Sequence, residues 1–205
     1  MRARNPPQSI KQRIREAAFS TFVEKGYAGT NTREIAARAR VSKRELYALY
    51  EDKQAMLADC IRFRAERSRQ PLQLEPVQEM PALRSALEAF GTSVLTELTH
   101  PAAVAVFRLA VLEAQKSPQV VRTLNTLGKE ANTETLVRFL KQAQKAKLLA
   151  PGNPTTMARQ FMALLWGGTL VSLLLGSEGA PSPKEARKRA KEAVEALVRL
   201  YGLHS

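Results

Sequence analysis

The stretch that decides the fold is Asn31–Tyr50, which is NTREIAARARVSKRELYALY. Apolar side chains recur at helical spacing in both halves of it. Asn31 with Glu34, and Ser42 with Glu45, place a side-chain acceptor at a helix start and a carboxylate three residues later, which is the pattern of a capping box. The stretch therefore predicts two short helices joined by a turn of three or four residues.

The second of these helices is basic at its start, where Lys43 and Arg44 precede Tyr47. Two short helices joined by a tight turn, the second basic at its N-terminus, are typical of a helix-turn-helix whose second helix enters the major groove of DNA. Lys and Arg side chains pair with guanine edges or phosphates, and hydroxyl groups reach phosphates. The pattern predicts a nucleic-acid interface.

The charge of the chain agrees with a polyanionic partner. Among 205 residues there are 32 Lys and Arg against 19 Asp and Glu, a formal net charge of +13. Such a surplus favours DNA or an anionic membrane surface. Residues 1–53 hold twelve basic and six acidic side chains, a net charge of +6, so this part is the more basic per residue. We expect the basic side chains of residues 184–191 to form a solvated outer face.

Helical periodicity continues through the rest of the chain, and 44% hydrophobic content is enough for a buried core. The sequence predicts an all-α protein of about nine helices. Residues 1–53 are expected to form the helix-turn-helix domain and residues 54–205 a larger helical domain. Three long helices are predicted in the second half: residues 118–147, with Gly128 as a weak point, residues 155–175, and residues 183–201.

Several functional classes are disfavoured. Cys60 is the single cysteine, which suits a reducing cytoplasm. The N-terminal residues lack the apolar stretch of a secretory signal, and the uncharged stretch Phe161–Leu175 is shorter than the roughly 18–20 residues of a membrane span. His100 and His204 have no nucleophile or metal-ligand motif beside them. We therefore expect a cytoplasmic protein with no membrane contact, no enzymatic activity, no cofactor and no metal.

A string of motifs runs in order through residues 14–57. Ile-x-x-Ala-Ala-x-x-x-Phe begins at Ile14, Gly26 and Tyr27 follow, and the segments 35–36, 39–42 and 46–47 read Ile-Ala, Ala-Arg-Val-Ser and Leu-Tyr. This order resembles the DNA-binding domain of TetR-type transcriptional regulators. The resemblance implies a bacterial homodimer that binds a palindromic double-stranded DNA operator and carries a helical effector-binding and dimerisation domain. The rest of the chain resembles the family only in being helical.

The resemblance implies roles for eight side chains, while we expect Glu45 to cap its helix rather than read cytosine. The positions implied to face bases are Arg33, Lys43, Arg44 and Tyr47. The positions implied to hold phosphates are Thr32, Ser42, Tyr50 and Lys53, with the ring of Tyr50 packed in the core and its hydroxyl offered outward.

Three positions depart from the family pattern. Arg40 and Arg44 stand where glycine is usual, and Glu45 where threonine is usual. The turn at Arg40 favours a left-handed residue, so an arginine there is expected to cost about 1 kcal/mol. Arg44 adds a possible guanine reader, so the operator sequence is not expected to copy that of a typical member.

The larger domain is expected to hold a small, largely apolar effector among its helices. Five aromatic side chains, one on each of the fourth to eighth predicted helices, either line that pocket or form the core. They are Phe63, Phe90, Phe107, Phe139 and Trp166. Arg64, Arg108 and Glu113 lie in apolar surroundings and are possible polar anchors, or simply surface residues.

The last two predicted helices are rich in small and apolar residues, which pack either inside the monomer or against a second copy. We predict the second arrangement, with an interface formed by Gly167, Gly168, Ser172, Val194, Leu197 and Tyr201. The predicted function is a DNA-binding transcriptional regulator, acting as a dimeric repressor released by its effector. The alternative is a basic helical architectural protein that binds DNA without sequence preference or effector response.

Overall fold

The structure is a computed structural model that describes residues 9–73, 77–112, 114–115 and 118–203. These residues form helices and no strand, which confirms the all-α prediction. In chain order the helices are α1 (Ile10–Lys25), α2 (Thr32–Ala39), α3 (Lys43–Leu49), α4 (Lys53–Arg69), α5 (Met80–Leu98), α6 (Pro101–Leu112), α7 (Pro118–Leu124), α8 (Ala131–Lys145), α9 (Pro154–Trp166), α10 (Thr169–Leu175) and α11 (Pro183–Tyr201).

Most of the predicted helix starts are confirmed by their hydrogen bonds. Ser42 Oγ accepts from the Glu45 amide at 3.1 Å, while Glu45 Oε2 accepts from the Ser42 amide at 2.7 Å, which completes a capping box. A second complete box opens α11. At α2, Asn31 Oδ1 accepts from the Arg33 amide at 2.8 Å, but Glu34 does not return the bond because Lys25 and Arg38 hold its carboxylate.

Two predicted long helices are interrupted. Residues 118–147 form α7 and α8 with a π-helical turn between them (Asn125–Glu130), and the predicted weak point Gly128 lies in that turn. Residues 155–175 break at Gly167, whose positive φ of 47° suits glycine, and α9 and α10 meet there at 47°. Paired glycines lower helix propensity enough for the chain to bend.

Two hydrophobic cores organise the chain. One combines α1, α2 and α3 with α4 and with residues of α6, so that Met56 and Leu57 share a cluster with Val106 and Leu109. The other is built from α5, α8, α9 and α11. Helices α4 and α6 therefore pack against α1, α2 and α3, although both follow the helix-turn-helix in the sequence. The division at residues 53 and 54 stays a prediction.

Within the described ranges, no single helix combines the length and apolar composition that a membrane span needs. Only two bent pairs reach that length together, Met80–Leu98 with Pro101–Leu112 at 67° and Pro154–Trp166 with Thr169–Leu175 at 47°.

Among the residues that the structure describes, two that are not glycine adopt left-handed backbone. Arg40 has φ 53°, as its position predicted, and Lys147 has φ 58°. Both end a helix with the same pair of bonds: the amide of the left-handed residue reaches the carbonyl three residues back, and the next amide reaches five residues back. This is the Schellman motif, in which glycine is the usual left-handed residue. Arg40 and Lys147 therefore carry the same kind of backbone strain, in the same type of helix end.

We expect Arg40→Gly and Lys147→Gly each to raise the free energy of unfolding by about 0.5–1 kcal/mol, because glycine adopts this backbone without steric cost. Urea denaturation of the two variants beside the parent protein measures the gain. Arg40→Ala and Lys147→Ala keep the strained Cβ and are the controls, expected to show no comparable gain. A glycine variant less stable than its alanine counterpart would contradict the prediction.

Candidate nucleic-acid interface

Helix α3 is fixed by one fully buried residue and presents its other side to solvent. Leu46 packs into the core formed with Ile14, Ile35 and Leu57, while Lys43 and Arg44 are exposed at the start of the helix. The Schellman turn at the end of α2 and the capping box of α3 set the direction of both helices. The arrangement is a helix-turn-helix with a basic exposed end.

The exposed cations of this end are not neutralised by neighbours. The side chains of Arg33, Lys43 and Arg44 make no hydrogen bond or ion pair with any residue in the described part of the chain. They remain available to an anionic partner. Three unpaired guanidinium and ammonium groups on two adjacent helices form the electrostatic footprint of a nucleic-acid interface.

The nearby carboxylates are held elsewhere. Arg38 donates to both oxygens of Glu24, at 2.7 and 2.5 Å, and to Glu34 at 3.0 Å. Lys25 donates to the other oxygen of Glu34 at 2.7 Å. Hydrogen bonds from Arg38 and Lys25 lower the pKa values of Glu24 and Glu34 respectively. These acids are therefore ionised but compensated, and they do not cancel the charge of the basic end.

Glu45 caps α3, as predicted. The hydrogen bond from the Ser42 amide lowers the pKa of its carboxyl group, so the cap is charged at neutral pH. The Ser42 hydroxyl accepts from the Glu45 amide, which leaves the hydroxyl proton free to be donated. Ser42 can therefore cap its own helix and donate to a phosphate at the same time.

Thr32 and Tyr47 are brought together by the fold. Their hydroxyl oxygens lie 2.9 Å apart, although the residues are on different helices. The Tyr47 ring is half exposed beside the unpaired cations of α3. This hydrogen bond ties the start of α2 to the middle of α3, and it places two of the predicted DNA-binding side chains in one cluster.

Lys53 differs from its predicted phosphate role. Its ammonium group donates to the Tyr27 carbonyl at 2.8 Å, lies 3.4 and 3.5 Å from the carbonyls of Ala28 and Thr30, and sits 4.6 Å from the centre of the Tyr27 ring. A lysine has three donors, and these contacts occupy them. Lys53 therefore holds the loop between α1 and α2 rather than reaching outward.

Tyr50 also differs from its predicted role. Its ring is buried, and its hydroxyl donates to Asp59 Oδ2 at 2.7 Å, so no donor is offered at the surface. Arg15 Nε donates to the same oxygen at 2.8 Å and Lys11 lies 3.4 Å from Oδ1. Burial raises the pKa of Tyr50. Burial alone would raise the pKa of Asp59 too, but the bonds from Arg15 and Tyr50 bring it below its ordinary value.

A second candidate site is a cavity of about 690 Å³ bounded mainly by α4, α6, the π-helical turn and α9. Of the five aromatic side chains predicted to line an effector pocket, Phe107 and Trp166 do so. Phe90 and Phe139 lie in the core instead, because their helices turn those faces inward, and Phe90 stacks on Phe161 with ring centres 6.2 Å apart. Phe63 faces outward, where the Arg15 guanidinium lies 3.9 Å from its ring centre.

The three predicted polar anchors have separate outcomes. Arg64 lines the cavity and donates to Glu97 at 3.2 Å. Arg108 instead donates to the carbonyls of Leu173 and Leu174, at 2.7 and 3.1 Å, which fastens α10 to α6. Glu113 lies outside the described residues.

Some of the residues predicted to form the dimer interface are buried within the chain, and others are exposed or half buried. Val194 and Leu197 are buried in the core of the chain itself, so they cannot meet a partner. Gly167 and Gly168 are exposed, Ser172 is half buried, and the half-buried Tyr201 donates its hydroxyl hydrogen bond to Gln160. The exposed apolar side chains of these helices are ones that sequence reasoning missed: Leu164, Val171, Leu175 and Leu200.

An all-α chain that carries a basic helix-turn-helix has the architecture of a DNA-binding transcriptional regulator. Residues 14–60 match the family model described as bacterial regulatory proteins, tetR family. Residues 85–203 match the model described as AefR-like transcriptional repressor, C-terminal domain. The second match covers more than half of the chain. The chain belongs to the TetR family of transcriptional regulators, as its helix-turn-helix motifs predicted.

Alignments with similar proteins cover most of this chain. The HTH-type transcriptional regulator YvkB of Bacillus subtilis is 26% identical over 174 residues, which are 85% of this chain and 88% of that one. A solved TetR regulator from Agrobacterium tumefaciens is 27% identical with a TM-score of 0.75, covering 96% of this chain and 97% of that one. The flavonoid-responsive regulator FrrA is 27% identical with a TM-score of 0.70, covering 96% and 98%.

The contrast between two tyrosines gives a test of the interface. We expect Tyr50→Phe to lower the free energy of unfolding by about 1–2 kcal/mol, because Asp59 loses a buried hydrogen bond, and to leave DNA affinity unchanged. Tyr47→Phe is the matched control, expected to weaken DNA binding with little effect on stability. Urea denaturation and fluorescence anisotropy with labelled duplex DNA measure the two effects. If the Tyr50→Phe protein is fully folded but binds DNA more weakly, the Tyr50 hydroxyl takes part in DNA binding and the prediction is wrong.

Proposed function

We propose that this regulator is a dimeric repressor that binds a palindromic operator and is released by a small, largely apolar effector. The observation that carries the proposal is the group of unpaired cations, Arg33, Lys43 and Arg44, held at the exposed end of the helix-turn-helix. These groups can pair with guanine edges and phosphates of a major groove.

In the proposed complex, Lys43, Arg44 and Tyr47 face the bases, and Arg33 reaches in from α2. Thr32 and Ser42 donate hydroxyl hydrogen bonds to phosphates. The buried Leu46 fixes the rotation of α3, so Lys43, Arg44 and Tyr47 are all exposed to solvent. In this proposal the base-facing residues of α3 provide most of the sequence specificity. Thr32 and Ser42 orient the protein on the DNA backbone.

The proposed dimer uses an apolar surface of α9, α10 and α11. Leu164 and Leu200 border a groove between α9 and α11 that is rimmed by Glu195 and Arg199. In an isologous interface each copy presents the same surface, so acidic and basic rim residues of the two copies can pair across the two-fold axis. Such a dimer would present two copies of α3 to half-sites about 34–36 Å apart.

The proposed effector site is the 690 Å³ cavity, whose walls are shared with the DNA-binding unit. Cys60 and Ile61 of α4, and Val106 of α6, line the cavity and also belong to the core beneath the helix-turn-helix. A ligand that moves α4 or α6 therefore shifts the support of α3. A coupling free energy of about 1–3 kcal/mol would change operator affinity roughly 5- to 150-fold.

The role of Arg44 can be tested by selecting bound sequences from a random DNA pool at near-physiological salt. We expect the parent protein to enrich an inverted repeat and Arg44→Ala to lose preference at one position per half-site, costing about 1–3 kcal/mol there. Arg187→Ala, which removes the same charge from the exposed face of α11, is the control and should keep the preference. Absence of any enriched sequence would support non-specific binding and refute the operator.

The dimer surface can be tested with Leu164→Glu and Leu200→Glu. We expect each to raise the dimer dissociation constant at least about tenfold, because a carboxylate would be buried in an apolar interface. Sedimentation equilibrium measures the constant. Leu112→Glu, at the exposed end of α6, is a matched control that should leave it unchanged. If only the control dissociates the dimer, the interface lies elsewhere.

A further inference from the structure

The effector cavity is apolar over most of its wall, but its charged residues are of one sign. Phe107, Met162 and Trp166 contribute the apolar wall. The charged side chains among its described lining residues are Arg64, Lys129 and Arg159, and no described lining residue is acidic. A cavity of this volume is within the usual range for small-molecule sites.

The three cations are not equivalent. Arg64 is compensated inside the protein, since it donates to Glu97 at 3.2 Å and lies 3.1 Å from His100 Nδ1. The side chains of Lys129 and Arg159 are exposed, and neither makes a hydrogen bond or ion pair within the described ranges. Both line the cavity while reaching solvent, so they stand where it opens. The opening therefore carries two uncompensated positive charges.

A buried amide lies in the same cavity. Asn132 is only 2% exposed, and its Oδ1 lies 3.2 Å from Ser68 Oγ and 3.4 Å from Arg69 Nη1. Because a guanidinium can only donate, Arg69 fixes the oxygen on that side of the amide. The amide NH2 group then has no acceptor among the described residues. Asn132 lines the cavity, so a ligand oxygen there could accept from this NH2 group.

We propose that the cavity takes an amphipathic organic anion. Its apolar body lies against Phe107, Met162 and Trp166, its negative charge pairs with Lys129 and Arg159 at the opening, and an oxygen accepts from Asn132. A cationic ligand would be repelled by the opening, and a hydrocarbon would leave the Asn132 donor unsatisfied. This inference rests on the proposed role of the cavity as the effector site and assigns the chemical class of the effector.

The inference can be tested with two fluorescent probes that differ in charge. Anilinonaphthalene sulfonate is an amphipathic anion, and phenylnaphthylamine is its uncharged parent. Trp166 is the single tryptophan of the chain and lines the cavity, so energy transfer from it reports binding nearby. We expect the anion to bind more tightly than the neutral probe at low salt, and added salt to weaken only the anion.

The double variant Lys129→Met, Arg159→Met should weaken the anion about 5- to 30-fold and leave the neutral probe unchanged, because exposed ion pairs are modest in strength. Lys184→Met, Arg187→Met removes the same charge from α11 and should change neither probe. Equal affinity of the two probes for the parent protein, or equal loss of both in the double variant, would overturn the inference.

Fluorescence anisotropy with labelled operator DNA, measured with and without each probe, separates this inference from the proposed function on which it rests. If the anion binds as expected but saturating it leaves operator affinity unchanged, the cavity still selects anions and the effector role fails. If the neutral probe alone occupies the cavity and releases operator DNA, the effector role stands and the anionic class is wrong.

Discussion

The buried carboxylate of Asp59 is the constraint on which the helix-turn-helix depends. It sits on α4, yet it receives hydrogen bonds from Arg15 of α1 and from Tyr50 at the end of α3. One side chain thus joins three elements by hydrogen bonds, in addition to their apolar contacts. Because the hydrogen bonds keep the pKa of Asp59 below its ordinary value, its contribution to stability is fully present above about pH 4 and is lost as the pH falls through the lower folded pKa.

Under the proposed function, the same helix would link the cavity to the DNA-binding unit. On one side α4 carries Asp59, and five residues further on it carries Arg64, which lines the cavity and pairs with Glu97 of α5. Burial lowers the pKa of Arg64, although Glu97 opposes this effect. In that proposal, a displacement of α4 at the cavity would reach Asp59, because packed interiors have low compressibility. Physical coupling between ligand and DNA sites needs such a shared element.

Sequence predicted the features that depend on neighbouring residues. The caps at Ser42 and Ser182 and the left-handed turn at Arg40 are local, and the helix-turn-helix follows from them. The roles of Tyr50 and Lys53 were not predictable, because their partners Asp59 and Tyr27 meet them only after the helices pack. The division of aromatic residues between core and cavity likewise depends on how each helix is rotated, which periodicity does not specify.

The left-handed Arg40 has an evolutionary consequence. Every arginine codon becomes a glycine codon by one nucleotide change, so a stabilising substitution lies within a single mutational step of this position. The chain nevertheless carries arginine there, beside the unpaired cations of α3. Proteins are selected to exceed a stability threshold rather than to reach a maximum. Replacing Arg40 by glycine would therefore supply stability that could offset destabilising substitutions in the neighbouring helix α3.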